Sequence, residues 1–192
     1  FNFWNIRKGE LVSKDWFESY TEYKEQALFY DGYAKVKTDE GYNFVDTLGT
    51  MLFKQPYQNL GHYAKNIAFE KNGEWGYINR SSATIVKPIY DRTYSFNNGG
   101  GIVELEPLKG VVNKTGDVLL DVFYEQFTFI TDSVLIVKSR GYYGLISINK
   151  DTIIPIQYKY IEPYSNSVVK IVSENEQWYY NVVINKWIKK ED

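Results

Sequence analysis

Apolar and polar residues alternate in short runs along most of the chain, and the runs return at a fixed step. YAKVK at 33–37, NIAFE at 66–70, IVELE at 102–106, VLIVK at 134–138 and VVKIV at 168–172 all alternate, the period-two pattern of a half-buried strand. Within them Val36, Phe69, Val103, Val137 and Ile171 form one column. A second kind of run follows: WGYIN at 75–79, KGVVN at 109–113 and YGLIS at 143–147, a step of 34 from 75 to 109 to 143. In YGLIS alternation sends Tyr143 and Leu145 to one side and Gly144 and Ile146 to the other, so this strand is apolar on both faces and must be covered twice.

Turn signals separate the runs. NG at 72–73 and RG at 140–141 join the first run to the second, and TLG at 47–49, KTG at 114–116 and NKD at 149–151 join the second to a third, all at hairpin distance. The third runs are TIVKPIYD, DVLLDVFYE and TIIPIQYKY; Pro56, Pro88 and Pro155 fall toward their ends, where an edge strand tolerates a missing amide donor. An aromatic column at Phe17, Tyr57, Tyr90, Tyr124 and Tyr158 shares the period.

The pattern predicts an all-β chain of tandem three-stranded antiparallel meanders of about 34 residues, each followed by an aromatic-bearing segment that crosses to the next. Taking YNFVD from Tyr42, WNI from Trp4 and YNVVI from Tyr180 as outlying copies, the units run roughly 1–28, 29–61, 62–96, 97–130, 131–164 and 165–192, within one domain spanning 1–192. No meander shields its own sheet, so stacking builds the core. The chain starts in a second strand and ends after another, with Trp187 to Lys190 as a short third strand. That extra hairpin favours an open, twisted stack over a small closed β-propeller.

In this alignment the residue after the motif aromatic is Asn5, Asn43, Gly76, Gly110, Gly144 or Asn181. Asn and Gly share tolerance of positive φ, so a left-handed kink or β-bulge is expected there. Close approach of a neighbouring backbone selects Gly but not Asn, and is the less favoured reading. On the dihedral reading Gly144→Val is costly and Gly144→Asn mild.

These motifs resemble the WG-repeat family, whose units read as an alternating strand, GKWGYID, a KTG turn, VIPP and YD. The best matches are NGEWGYINRSSATIVKPIYD at 72–91, GYYGLISINKDTIIPIQYK at 141–159 and KGVVNKTGDVLLDVFYE at 109–125. Lys109 departs from the pattern, as does the last unit, NEQWYYNVVINKWIKK, which has no Gly in its turn. The resemblance implies a β-repeat architecture in a bacterial and phage-associated family that mediates interactions. It brings no shared enzymatic activity and no cofactor.

Composition narrows the function further. In 192 residues there are 18 Tyr, 11 Phe and 5 Trp, which favours strands, and a chain of this length buries roughly 70% of its unfolded surface. The net charge of −2 provides no field to steer nucleic acid or an anionic membrane. No apolar stretch is long enough for a membrane-spanning helix. The absence of cysteine excludes disulfides and thiolate metal sites. The compartment stays open; the cytoplasm is preferred to secretion, with any signal preceding Phe1 outside the sequence.

Reactive constellations are weak. His62 is the single histidine, with Ser81 and Ser82 as candidate nucleophiles, but no elbow motif accompanies it and a loop position is the plainer reading. A zinc site lacks ligands. Glu104 and Glu106 share a face and read as a solvated one rather than paired catalytic carboxylates, and NNGGG at 97–101 lacks the rest of a phosphate loop. The sharper feature is aromatic excess: Phe3, Tyr142 and Tyr179 precede the motif aromatic and, with Trp178 and Trp187, form either an exposed binding platform or packing beneath the crossing segments. The expectation is a noncatalytic module that recognises a protein partner or an adjacent domain, with glycan binding as the alternative.

Overall fold

The computed structural model describes residues 1–18, 29–96, 100–173 and 176–188. Among the described residues the chain is strand and turn throughout, without helix. It divides into two compact units, 1–96 and 97–192.

The first unit begins with a hairpin of β1 (Trp4–Asn5) and β2 (Glu10–Leu11), followed by a pair of β3 (Tyr33–Thr38) and β4 (Gly41–Asp46). A four-stranded antiparallel meander comes next: β5 (Asn59–Leu60), β6 (Asn66–Lys71), β7 (Glu74–Asn79) and β8 (Thr84–Tyr90). Short strand β9 (Arg92–Thr93) follows. In the second unit β10 (Gly101–Leu105), β11 (Leu108–Val112) and β12 (Val118–Tyr124) lie side by side in one sheet. Two further four-stranded meanders complete it: β13 (Gln126–Phe129), β14 (Val134–Ser139), β15 (Tyr142–Ser147) and β16 (Thr152–Tyr158), then β17 (Tyr160–Ser165), β18 (Val168–Val172), β19 (Gln177–Asn181) and β20 (Lys186–Ile188).

The expected three-stranded meander is therefore corrected to four strands in these sheets. The segment read as a crossing connection pairs with the first strand of the following sheet: Gln126 to Phe129 oppose Lys138 to Leu135, and Tyr160 to Pro163 oppose Val172 to Val169. The physical reason is economy of backbone hydrogen bonds, since a crossing segment that lies along an open edge satisfies its own amides and the edge together. The short third strand expected near the C-terminus is present as Lys186–Ile188; Lys189 and Lys190 lie outside the described residues, as do Asn97, Asn98 and Gly99 of the NNGGG run.

The double covering expected of the second strand is found. Ile146 packs with Leu135, Val137, Val111 and Leu120, whereas Leu145, with Ile136 and Ile154, packs on Ile161, Val169, Ile171 and Tyr180 of the following sheet. In the first unit Val45, Val36 and Ala34 meet Phe17, with Phe1 and Phe3 against them, while Phe44 joins Ile67, Phe69 and Ile78. Within each unit the sheets thus pack face to face, one copy on the next.

Hydrogen bonds set the phase of the repeat. The side chains of Asp46, Asn79, Asn113 and Ser147 each accept amides two and four residues on, closing the turn into the third strand. Asn181 likewise accepts from Val183 and Ile184 amides, and Asn5 from those of Arg7 and Lys8. These are Asx-type turns. They show that Asn5 and Asn181 are turn residues, which corrects their placement beside Gly144. Cross-strand register gives the true column, with Val36 opposite Asn43, Phe69 opposite Gly76, Val103 opposite Gly110, Val137 opposite Gly144 and Ile171 opposite Trp178. Asn2 joins the same column by its bonds: its Oδ1 accepts from the Phe3 amide and its Nδ2 donates to the Ser13 carbonyl, as Asn43 does with Phe44 and Phe53.

The dihedral reading of this column is also corrected. None of Gly76, Gly110 and Gly144 has a left-handed φ; a Cβ on Gly76 would lie 2.4 Å from the Val86 carbonyl oxygen, on Gly110 2.7 Å from that of Leu120 and on Gly144 2.8 Å from that of Ile154. The bulge itself is real and sits opposite, in the third strand, where the register slips between Tyr143 and Leu145 and at the equivalent places in the other sheets. Pro88 and Pro155 lie in these bulged strands. Asn enters the column at Asn43, where its amide bonds both backbone groups of Phe53 in place of a regular third strand.

Candidate interaction surface

The repeat step transfers positions from one sheet to the next and so locates surfaces that stacking leaves open. In sheet β13–β16 the face toward the next copy carries Ile130, Ile136, Leu145 and Ile154, all packed into one core with the following sheet. The residues 34 further on are Tyr164, Lys170, Tyr179 and Ile188. Tyr164 is 65% exposed and Ile188 41% exposed, against 2% for Ile154.

Local geometry builds this face from four strands. Glu162, Lys170, Tyr179 and Ile188 lie in one row across β17, β18, β19 and β20, so their side chains share a side. Lys170 Nζ stands 3.3 Å from Glu162 Oε1. Tyr164 and Tyr179 form an edge-to-face pair with centroids 4.8 Å apart, the geometry favoured by ring quadrupoles. The result is an amphipathic patch, with two aromatic rings and an isoleucine flanked by an ion pair. It matches the composition of a protein-binding surface better than that of a permanent core.

The first hairpin also carries exposed apolar side chains. By the hydrogen bonds of Asn2 and Asn5, Phe3 corresponds to Phe44 and Trp4 to Val45. Phe3 packs toward the β3–β4 pair, so alternation turns Trp4 the other way. Trp4 pairs across the hairpin with Leu11. They are 60% and 42% exposed, whereas Val45 and Ile78 at the same place in later copies are 0% and 1% exposed.

The five aromatics expected to form a platform have different surroundings. Phe3 is part of a ring cluster with Phe1, Phe17 and Phe29, its centroid 4.7 Å from that of Phe29. Trp178 packs against the core between the last two sheets and lies edge-on to Tyr158. Trp187 is exposed but lies against Tyr180, on the other side of the sheet from Tyr179. Tyr142 is exposed at the β14–β15 hairpin. Of the five, Tyr179 alone belongs to the exposed side of sheet β17–β20. Tyr164, Ile188, Trp4 and Leu11 did not stand out in the sequence; the turn column Asp46, Asn79, Asn113, Ser147 and Asn181, which carries the correct phase, is the signal that finds them.

The polar constellations have structural surroundings. Glu104 is buried, with Lys109 Nζ 3.3 Å from its Oε2, while Glu106 is exposed at the hairpin turn, which corrects the reading of the two as one solvated face. Lys109 stands where the motif aromatic is expected, opposite Glu104, and its ammonium offsets that buried carboxylate; Glu70 in the same column faces Trp75 instead. His62 is exposed between β5 and β6, and Ser81 Oγ donates to Asn79 Oδ1 inside its own turn. Lys35 Nζ bonds the Leu60 carbonyl and sits 4.6 Å from the Tyr42 ring centroid; burial pulls its pKa down to about 8. Burial likewise raises the Tyr77 and Tyr180 phenols.

Comparison with known proteins agrees with the repeat. Residues 75–106 and 143–178 match the sequence model of the family described as WG containing repeat. No curated protein matches the chain. Among solved structures, the crystal structure of a eukaryotic initiation factor is similar over 98% of this chain and 58% of its own, with 13% identity and a TM-score of 0.57. Kluyveromyces lactis Hsv2 is similar over 82% of this chain and 59% of its own, at 10% identity and a TM-score of 0.44. The N-terminal domain of Nup159 follows with 84% and 56% coverage, 10% identity and a TM-score of 0.42. The chain therefore spans less than two thirds of each of these proteins, and the likeness to the initiation factor is one of fold alone.

Proposed function

We infer that this chain, which carries WG containing repeats at 75–106 and 143–178, is a noncatalytic interaction module that recognises a protein partner through its repeat surface, at the exposed side of sheet β17–β20. One observation carries the reading: Tyr164 and Ile188 are exposed at the positions where the preceding sheet buries apolar side chains against its neighbour. Aromatic rings beside an ion pair bury well against a protein and remain compatible with water when free. We read the array as an open, twisted stack, the arrangement that the repeat pattern of the sequence favours.

Affinity capture from native cells with wild type and with Tyr164→Glu tests this reading. The wild type is expected to retain a defined protein that the variant loses, while both melt at the same temperature because Tyr164 is largely exposed. Equal capture by both proteins refutes the assignment of the face. Binding to soluble polysaccharide that disappears with Tyr164→Ala would instead select the glycan alternative, in which the Tyr164 and Tyr179 rings stack on sugars.

A further inference from the structure

We propose that the outer edge of β12 is a second docking site, where an extended segment of another protein with alternating basic and apolar side chains adds as a further strand. Among the described residues β12 pairs with β11 alone, so its other side has no strand beside it. Such an edge is a template for strand addition unless something blunts it. The equivalent third strands are blunted: Pro88 in β8 and Pro155 in β16 each remove an amide donor. One repeat of 34 residues after Pro88 stands Val122, and one before Pro155 stands Asp121. β12 therefore keeps both amides, and since β7 and β8 pair with proline at this place, the Val122 amide is not needed to hold β12 on β11. Register slips against the second strand occur in all three third strands and do not distinguish them.

The side chains along this edge differ as well. The same three positions of each third strand are exposed, and β16 fills them with Thr152, Pro155 and Gln157. β12 holds Val118, 49% exposed, Asp121, and Phe123, 52% exposed. The valine and the phenylalanine offer apolar cover to the neighbours that an added strand brings across. Charge narrows the partner. The run 117–125 carries Asp117, Asp121 and Glu125 and no base, whereas 83–91 sets Lys87 against Asp91 and 151–159 sets Lys159 against Asp151. Asp117 accepts from neutral groups, Asn113 Nδ2 and Thr115 Oγ1. Glu125 lies 3.8 Å from Lys138 Nζ. Asp121 pairs with Lys150 at 3.1 Å, but both side chains are more than half exposed; such a pair is weak, and a lysine of the added strand can take the place of Lys150. Backbone hydrogen bonds then supply affinity, and the alternating side chains selectivity.

Fluorescence anisotropy of a labelled, blocked peptide of 7 residues, the length of β12, with lysine and valine alternating, measures the contact. Titration with the 192-residue protein up to about 1 mM reaches weak binding. Wild type is expected to bind this peptide, and to bind one with glutamate in place of lysine about tenfold more weakly. It is expected to lose a lysine peptide whose alternate amides are N-methylated, which keeps the side chains but cannot complete a ladder. Val122→Pro copies β8 and Asp121→Pro copies β16, so each is expected to melt like wild type and to bind about tenfold more weakly. Should a proline variant fail to fold, the N-methylated peptide on wild type decides. Tyr164→Glu is expected to bind as wild type does, since its substitution lies on another sheet. Peptide binding lost in Tyr164→Glu but kept in Val122→Pro overturns the assignment of the edge and leaves the β17–β20 surface standing. Absence of binding overturns the proposal, as does equal binding of the N-methylated peptide. Concentration-dependent dimerisation of the protein alone, abolished by Val122→Pro, overturns the peptide as occupant and puts a second copy on the edge.

Discussion

At Gly144 the constraint is space and not backbone freedom. A Cβ there would sit 2.8 Å from the Ile154 carbonyl oxygen and 2.9 Å from Ile156 Cα, and backbone atoms cannot step aside as a side chain does. Gly144→Ala is therefore expected to destabilise by about 1–3 kcal/mol, within the range for overpacking, and Gly144→Asn by at least as much, reversing the mild effect that the dihedral reading predicted. Urea midpoints of the two variants check this ranking. A positive-φ position gives the control: at Gly141, φ +80, an added Cβ meets nothing within 4 Å, so alanine there costs only strain of about 1 kcal/mol. If Gly144→Asn proved milder than Gly144→Ala, the close-approach account would fail. At this scale the sequence exposed a column restricted to small or amide residues but not its cause, because Asn at position 43 satisfies by hydrogen bonds a backbone that Gly elsewhere merely admits.

Elements in the array differ from one another by compensated swaps. In β14 and β15 the pair is Lys138 with Tyr143, the ammonium 5.4 Å from the ring centroid, and Glu125 nearby. In β10 and β11 the same two places hold Glu104 and Lys109. Lys109→Tyr restores the motif aromatic yet removes the ammonium beside a buried carboxylate, and is expected to lower stability by about 2–4 kcal/mol. Adding Glu104→Lys rebuilds the Lys138–Tyr143 arrangement and should recover most of that loss. Thermal denaturation of the two singles and the double provides the coupling; strictly additive effects would refute the compensation. Element identity was legible in the sequence wherever alternation and a turn pair coincided, as in Asn72–Gly73, whose φ values are both positive. Phase was not legible in the end copies. WNI and YNVVI resemble YGLIS in letters, but Asn5 and Asn181 close turns, a role fixed by hydrogen bonds to amides that carry no residue identity. The fourth strand was missed for a related reason: QFTF and YIEPYS pair through backbone groups, and the turns that follow them, at Thr131–Ser133 and Ser165–Ser167, carry no glycine.

In sheet β17–β20 the outward positions have changed character while the inward ones have not. Val169, Ile171 and Tyr180 keep the preceding sheet's core dry, and the outward row substitutes Lys170 and Tyr179 for Ile136 and Leu145. A chain ending at Lys159, which lacks β17 to β20, would present Ile136, Leu145 and Ile154 to water, a contiguous apolar patch of the kind that drives aggregation. It is expected to bind a hydrophobic dye and to precipitate during purification. Installing the outward residues of β17–β20 on the shortened chain, Ile130→Tyr, Ile136→Lys and Leu145→Tyr together, is expected to restore a soluble, cooperatively melting protein without any new sheet. The measurement is soluble yield and dye binding of the two truncated forms side by side. A shortened chain with its isoleucines intact that remained as soluble as the 192-residue protein would mean that β17–β20 is not needed to cover this apolar face.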